Sequence, residues 1–205
     1  ETGGALWCLG DPGGLRPSPV GDRSRLDAAL DALAAVAAVA DAVGDRVGAV
    51  VFDGEVRRVV RPQRANAAAL THLLDDLQPH LVDSDYQAGF ARVASAKRSL
   101  VIVFTDLLDA AAARPLLAAV PVLVRRHAVL VAGTNDPDLV EAVTRPPSSR
   151  RALLEAGVAT EILAERDQVR SRLAGVGAVV VDAPVERLAT RCVSAYLQLK
   201  STARI

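Results

Sequence analysis

The amino-acid sequence predicts an α/β protein, a mostly parallel sheet covered by helices with one antiparallel strand at an edge. Three observations predict it. Short β-branched apolar runs alternate along the chain with longer Ala/Leu/Arg segments of helical period, the signature of strands joined by helical crossovers. One run, Arg98 to Thr105 (RSLVIVFT), is uncharged across its centre, as a strand buried on both faces must be. Finally, an Asp53-Gly54 turn signal separates two strand-like runs and predicts a hairpin.

In order, Ala5 to Gly10 (ALWCLG) reads as the first strand, followed by a Gly/Pro-rich loop from Asp11 to Ser24. Arg25 to Val43 has helical period, with Ser24 as N-cap and Gly44 as its stop. Arg46 to Phe52 and Glu55 to Val60 form the edge hairpin. Asn66 to Leu77 is helical; after Pro79 a loop through Val82 to Tyr86 leads into a helix ending near Ala94. The Arg98 to Thr105 strand ends in Asp106. Ala110 to Arg125 is helical, with Pro115 and Pro121 expected to break or kink it. His127 to Ala132 is a strand, Asp138 to Thr144 a short helix, and Pro146-Pro147 an interruption. Ser149 to Leu173 is one long amphipathic helix with Gly157 as a weak point. Gly177 to Val181 is the last strand, and Pro184 opens a final helix that runs to near Ser201.

Composition narrows the function. With 24 basic and 24 acidic residues the formal net charge is zero, which removes the surplus of Lys and Arg that a phosphate-tracking protein needs. Nucleic acid is not expected as a partner. The apolar stretch Pro115 to Val124 is about half of a membrane span, and no signal peptide is visible. Cys8 and Cys192 sit in apolar surroundings and read as buried free thiols, which suits a reducing compartment. The sequence has no Met and is expected to be a segment of a longer protein, folded as one domain over residues 1–205.

In an open parallel sheet, ligands bind beyond the carboxyl ends of the strands. Two aspartates stand there, Asp11 and Asp106. They read either as magnesium ligands, since paired carboxylates make a hard oxygen site, or as caps of the helices that follow. His72 and Asp76, with Asp75 adjacent and His80 beyond Pro79, have a spacing compatible with zinc, but a solvated polar face accounts for them without a third ligand. His127, beside Arg125 and Arg126, reads as a boundary histidine. Gly175-Val176-Gly177 precedes its strand, whereas a dinucleotide fingerprint follows one, so it reads as a turn. No Gly-x-Ser-x-Gly elbow or P-loop occurs. The last helix carries Leu188, Val193, Tyr196, Leu197 and Leu199 around most of its circumference and is expected to pack across the domain.

The segments GDRVGAVVFDG (Gly44 to Gly54), VDSDYQAGF (Val82 to Phe90), RSLVIVFTDLLD (Arg98 to Asp109), RRHAVLV (Arg125 to Val131), GVGAVVVDAP (Gly175 to Pro184) and YLQLKSTARI (Tyr196 to Ile205) resemble, in order, the domain-of-unknown-function 58 family. More narrowly they resemble its C-terminal, von Willebrand factor A-like half. The resemblance implies a doubly wound, Rossmann-like α/β fold with a metal-ion-dependent adhesion site at the top of the sheet. By position, Asp11 matches the first aspartate of that site, Ser84 (with Asp85 as neighbour) the loop threonine, and Asp106 the second aspartate. Gly13 and Leu15 stand where the pattern wants two serines, so the site is degenerate. Leucine cannot ligate Mg2+ and glycine offers only backbone; loss and retention of the ion both remain open.

The expected function is a non-enzymatic protein-docking module using the loops around Asp11, Ser84 and Asp106, with Mg2+ as its candidate cofactor. The resemblance implies a MoxR-type AAA+ ATPase as partner, in assembly or maturation of other proteins. With its buried free thiols the chain is expected in the cytoplasm, and the resemblance places any membrane tether in segments outside this sequence. The alternatives are a magnesium-dependent hydrolase, for which Asp85 and Asp109 are the bases at hand, and a structural domain with a decayed site.

Overall fold

In this computed structural model, residues 4–10, 19–20, 23–65, 67–75, 84–106 and 113–203 are described. The strands are β1 (Ala5–Gly10), β2 (Pro19–Val20), β3 (Arg23–Ser24), β4 (Arg46–Phe52), β5 (Val56–Gln63), β6 (Leu100–Phe104), β7 (Ala128–Thr134) and β8 (Val179–Ala183). The helices are α1 (Arg25–Ala42), α2 (Ala67–Asp75), α3 (Tyr86–Ala94), α4 (Arg114–Val124), α5 (Pro137–Thr144), α6 (Arg150–Gly175) and α7 (Val185–Ala203).

Six strands form one sheet in the order β5-β4-β1-β6-β7-β8, parallel except for the antiparallel edge strand β5. Period-two alternation divides its side chains between two cores. On one face Leu6, Cys8, Val47, Val51, Ile102, Phe104 and Leu130 pack with α1 and α7. On the other, Trp7, Leu9, Val50, Phe52, Val101, Val103 and Val131 pack with α3, α4 and the last turns of α6. Helices therefore cover both faces, and the doubly wound fold is the one expected.

Local chemistry explains the borders. The Ser24 hydroxyl accepts from Asp27 N at 3.1 Å while Asp27 Oδ2 accepts from Ser24 N at 3.1 Å, a reciprocal capping box that starts α1. Gly44, at φ +81°, supplies the left-handed residue that ends it.

Several elements differ from expectation. The hairpin loop is Asp53 to Glu55, three residues rather than two, because Phe52 pairs with Val56; Arg57 Nε donates to both Asp53 oxygens, at 3.0 and 2.9 Å, and fixes the turn. β5 continues past Val60 through Pro62, which an edge strand tolerates. Pro115 lies in the first turn of α4, where its missing N–H costs nothing, and Pro121 sits inside a helix that is not broken. Asp136 caps α5, which starts at Pro137 rather than Asp138. Gly157 does not interrupt α6, and β8 begins at Val179 rather than Gly177, whose φ is +95°. Within the expected Asp11 to Ser24 loop, β2 and β3 form a two-residue antiparallel pair.

Candidate functional site

The strand order reverses at β1: its crossover neighbours are β4 on one side and β6 on the other. A crevice at the carboxyl ends of β1 and β6 is where such a fold binds ligands. Gly10 pairs with Phe104 there, followed in the chain by Thr105 and Asp106.

Asp106 is not open to solvent. Its side chain is 4% exposed, and its Oδ2 accepts a hydrogen bond from Arg25 Nη1 in a close ion pair. Arg25, the first residue of α1, is itself 4% exposed, and its Nη2 lies 3.5 Å from Asp136 Oδ2. A second arginine, Arg166 of α6, places Nη1 4.0 Å from Asp106 Oδ1. Its Nη2 donates to the Thr134 carbonyl at 2.7 Å and to Asp182 Oδ1 at 2.9 Å. Burial pushes the Asp106 carboxyl above the ordinary aspartate range, an effect that the charges of Arg25 and Arg166 oppose.

Ser84 and Asp85 lie at the same end of the sheet, at the start of α3. Asp85 Oδ1 accepts from Ala88 N at 2.9 Å and so caps that helix. The next residue, Tyr86, shares a buried 2.5 Å hydrogen bond with the hydroxyl of Thr105, which stitches α3 to the residue before Asp106. A groove of about 450 Å3 between α3 and α4 opens beside Ser84 and Asp85, lined by Tyr86, Phe90, Pro115 and Val122 among others.

Asp11, Gly13 and Leu15 lie outside the described residues, as do Asp76, His80 and Asp109. The structure thus brings Ser84, Asp85 and Asp106 to one end of the sheet. His72 is exposed on α2. His127 is buried just before β7, at the opposite, amino end of the strands.

A divalent ion held directly at Asp106 needs oxygen ligands. One Asp106 oxygen already faces a guanidinium and the other has a second guanidinium beside it, so the described residues do not fit such an ion. Among the described residues no three of His, Cys, Asp and Glu gather in a metal-holding group. Sequence reasoning missed Arg25 and Arg166. A signal existed: in α6 the buried residues are Ala159, Arg166, Val169 and Leu173, so Arg166 stands in register with an apolar stripe. Arg25 stands likewise three and four residues before buried Ala28 and Ala29.

The family described as "Protein of unknown function DUF58" matches residues 19–178. The chain belongs to that family. No curated protein sequence matches it. Among solved structures, this DUF58 chain is similar to an aerotolerance-related membrane protein from Bacteroides fragilis at 15% identity and a TM-score of 0.65, over 98% of this chain and 100% of that one. It is similar to the conserved hypothetical protein BatB from Bacteroides thetaiotaomicron at 15% identity and a TM-score of 0.64, over 96% and 98%. The SpRpn10 VWA domain aligns at 12% identity with a TM-score of 0.54, over 94% of each chain. At these identities the likeness is one of fold, and the fold is von Willebrand A-like. No helix among the described residues is long and apolar enough to cross a membrane.

Proposed function

We propose that this DUF58 chain is a non-enzymatic protein-interaction module that docks a partner through the loops at the carboxyl ends of its parallel strands. The observation that supports the reading is the state of Asp106. The strand-end carboxylate best placed for chemistry is buried against two arginines, which leaves it no proton acceptor role toward a substrate. Among the described residues the two thiols are masked by burial. Burial pushes the thiols of Cys8 and Cys192 up to about 12, with the proximity of Cys192 adding to the effect on Cys8, so neither is a nucleophile near neutrality.

The family resemblance makes a MoxR-type AAA+ ATPase the partner to test first, and the buried free thiols of Cys8 and Cys192 support a cytoplasmic location for this segment. Asp138 lies exposed in the first turn of α5, at the carboxyl edge, and Lys97 lies exposed before β6, at the amino edge. Binding of the chain to such an ATPase from the same organism is measured by biolayer interferometry. Asp138→Arg is expected to weaken it about tenfold or more, the effect of placing an unmatched charge in an interface, and Lys97→Glu to leave it unchanged. Absence of binding, or sensitivity at Lys97 alone, removes the reading.

A further inference from the structure

We propose that the Arg25 guanidinium stands as a built-in cation at the position where the fold family implies a divalent ion, so that this face works without metal. Asp106 then anchors two helices and is not a metal ligand.

The geometry supports this from both faces of the sheet. Arg25 belongs to α1, which packs in one core layer, and Arg166 to α6, which packs in the other. Both reach the carboxyl edge and meet at the single carboxylate of Asp106, one in direct contact and one at 4.0 Å. Asp136 takes the second Nη of Arg25, and Asp182 with the Thr134 carbonyl takes that of Arg166. Two arginines and three aspartates thus close a network over the ends of β6, β7 and β8. A basic residue in the first turn of a helix opposes the helix dipole, so local propensity does not account for Arg25. Its buried carboxylate partner does. A dication entering beside Asp106 would meet one guanidinium on Oδ2 and another next to Oδ1, and it would have to break the Arg25–Asp106 pair. An acidic side chain from a partner accordingly finds no bare metal to complete.

This inference does not rest on the docking reading: it concerns whether Asp106 binds metal, and it holds or fails whether or not any partner is found. The test uses Mn2+ followed by electron paramagnetic resonance and Mg2+ followed by calorimetry on the whole chain, with Asp106→Asn, Arg25→Met and the double variant. The unaltered protein and Asp106→Asn are expected to give the same titrations at millimolar metal. Each single variant is expected to lower the thermal midpoint by about 10 °C, because one buried charge loses its partner, and the double variant by less than the sum. A saturable site in the unaltered protein that Asp106→Asn abolishes overturns the proposal, as does strict additivity of the two changes. Should the single variants fail to fold, the unaltered protein decides: no change of midpoint with millimolar Mg2+ is expected, and a saturable rise overturns the proposal.

Discussion

Asp45 collects three donors at the end of the sheet opposite Asp106. Buried just before β4, it accepts from Gly4 N at 2.9 Å, the Tyr196 hydroxyl at 2.5 Å and Lys200 Nζ at 2.5 Å. Tyr196 and Lys200 are one turn apart on α7, so the terminal YLQLK segment, part of one of the six that carry the resemblance, is a lock between α7 and the amino ends of β1 and β4. Its role is structural. Tyr196→Phe removes a hydrogen bond to a carboxylate and is expected to cost about 2 kcal/mol in urea unfolding. Burial first, and then the bond to Asp45, raise the Tyr196 phenol above its ordinary range. The folded protein keeps that proton where the unfolded chain loses it, so this contribution is complete below about pH 10 and declines as the pH rises beyond. The variant should lack that share of the alkaline loss, which unfolding curves between about pH 9 and 11 will show.

At the scale of elements, close approach decides which residues are tolerated. A Cβ on Gly89 would stand 2.7 to 2.9 Å from the ring of Phe52, so α3 can lie against β4 only because that position has no side chain. Phe52, Tyr86 and Phe90 then meet edge to face, with ring centroids 5.4 to 6.3 Å apart. Gly89→Ala is expected to cost about 1 to 3 kcal/mol, measured by denaturant unfolding, with a greater loss in α3 than elsewhere by hydrogen exchange. The same elements show what the sequence made legible. Helix α1 was readable from Ser24 and Gly44 because capping is local. The length of β5 was not: Gly48 sits beside a bulge where a Cβ would stand 2.7 Å from the Val60 carbonyl oxygen and 2.8 Å from Pro62 N, a contact across strands with no mark in the run of residues. Pro115 and Pro121 were expected to break or kink the helix; it runs unbroken through Pro121, with Leu116, Val120 and Leu123 buried in the core beside it.

For the molecule as a whole, the central strand ties everything together. β1 is hydrogen-bonded to β4 and β6, and its Trp7, the chain's single tryptophan, is 6% exposed in one core layer while Leu6 and Cys8 face the other. Separating either helical layer disturbs this strand. Trp7 fluorescence and far-ultraviolet circular dichroism are therefore expected to follow one coincident unfolding transition in urea; two separated midpoints would show layers that unfold independently. The sequence by itself determined the α/β class, the edge hairpin and the presence of Asp106 at a strand end, because periodicity, caps and turns act over a few residues, while the doubly wound layering was implied by the family resemblance. Only the tertiary structure decided what Asp106 pairs with. Its partner Arg25 lies 81 residues away, and Tyr196 reaches Asp45 across 151. Neither choice of partner leaves a local pattern, since these buried polar groups select each other only after the sheet has brought its strand ends together.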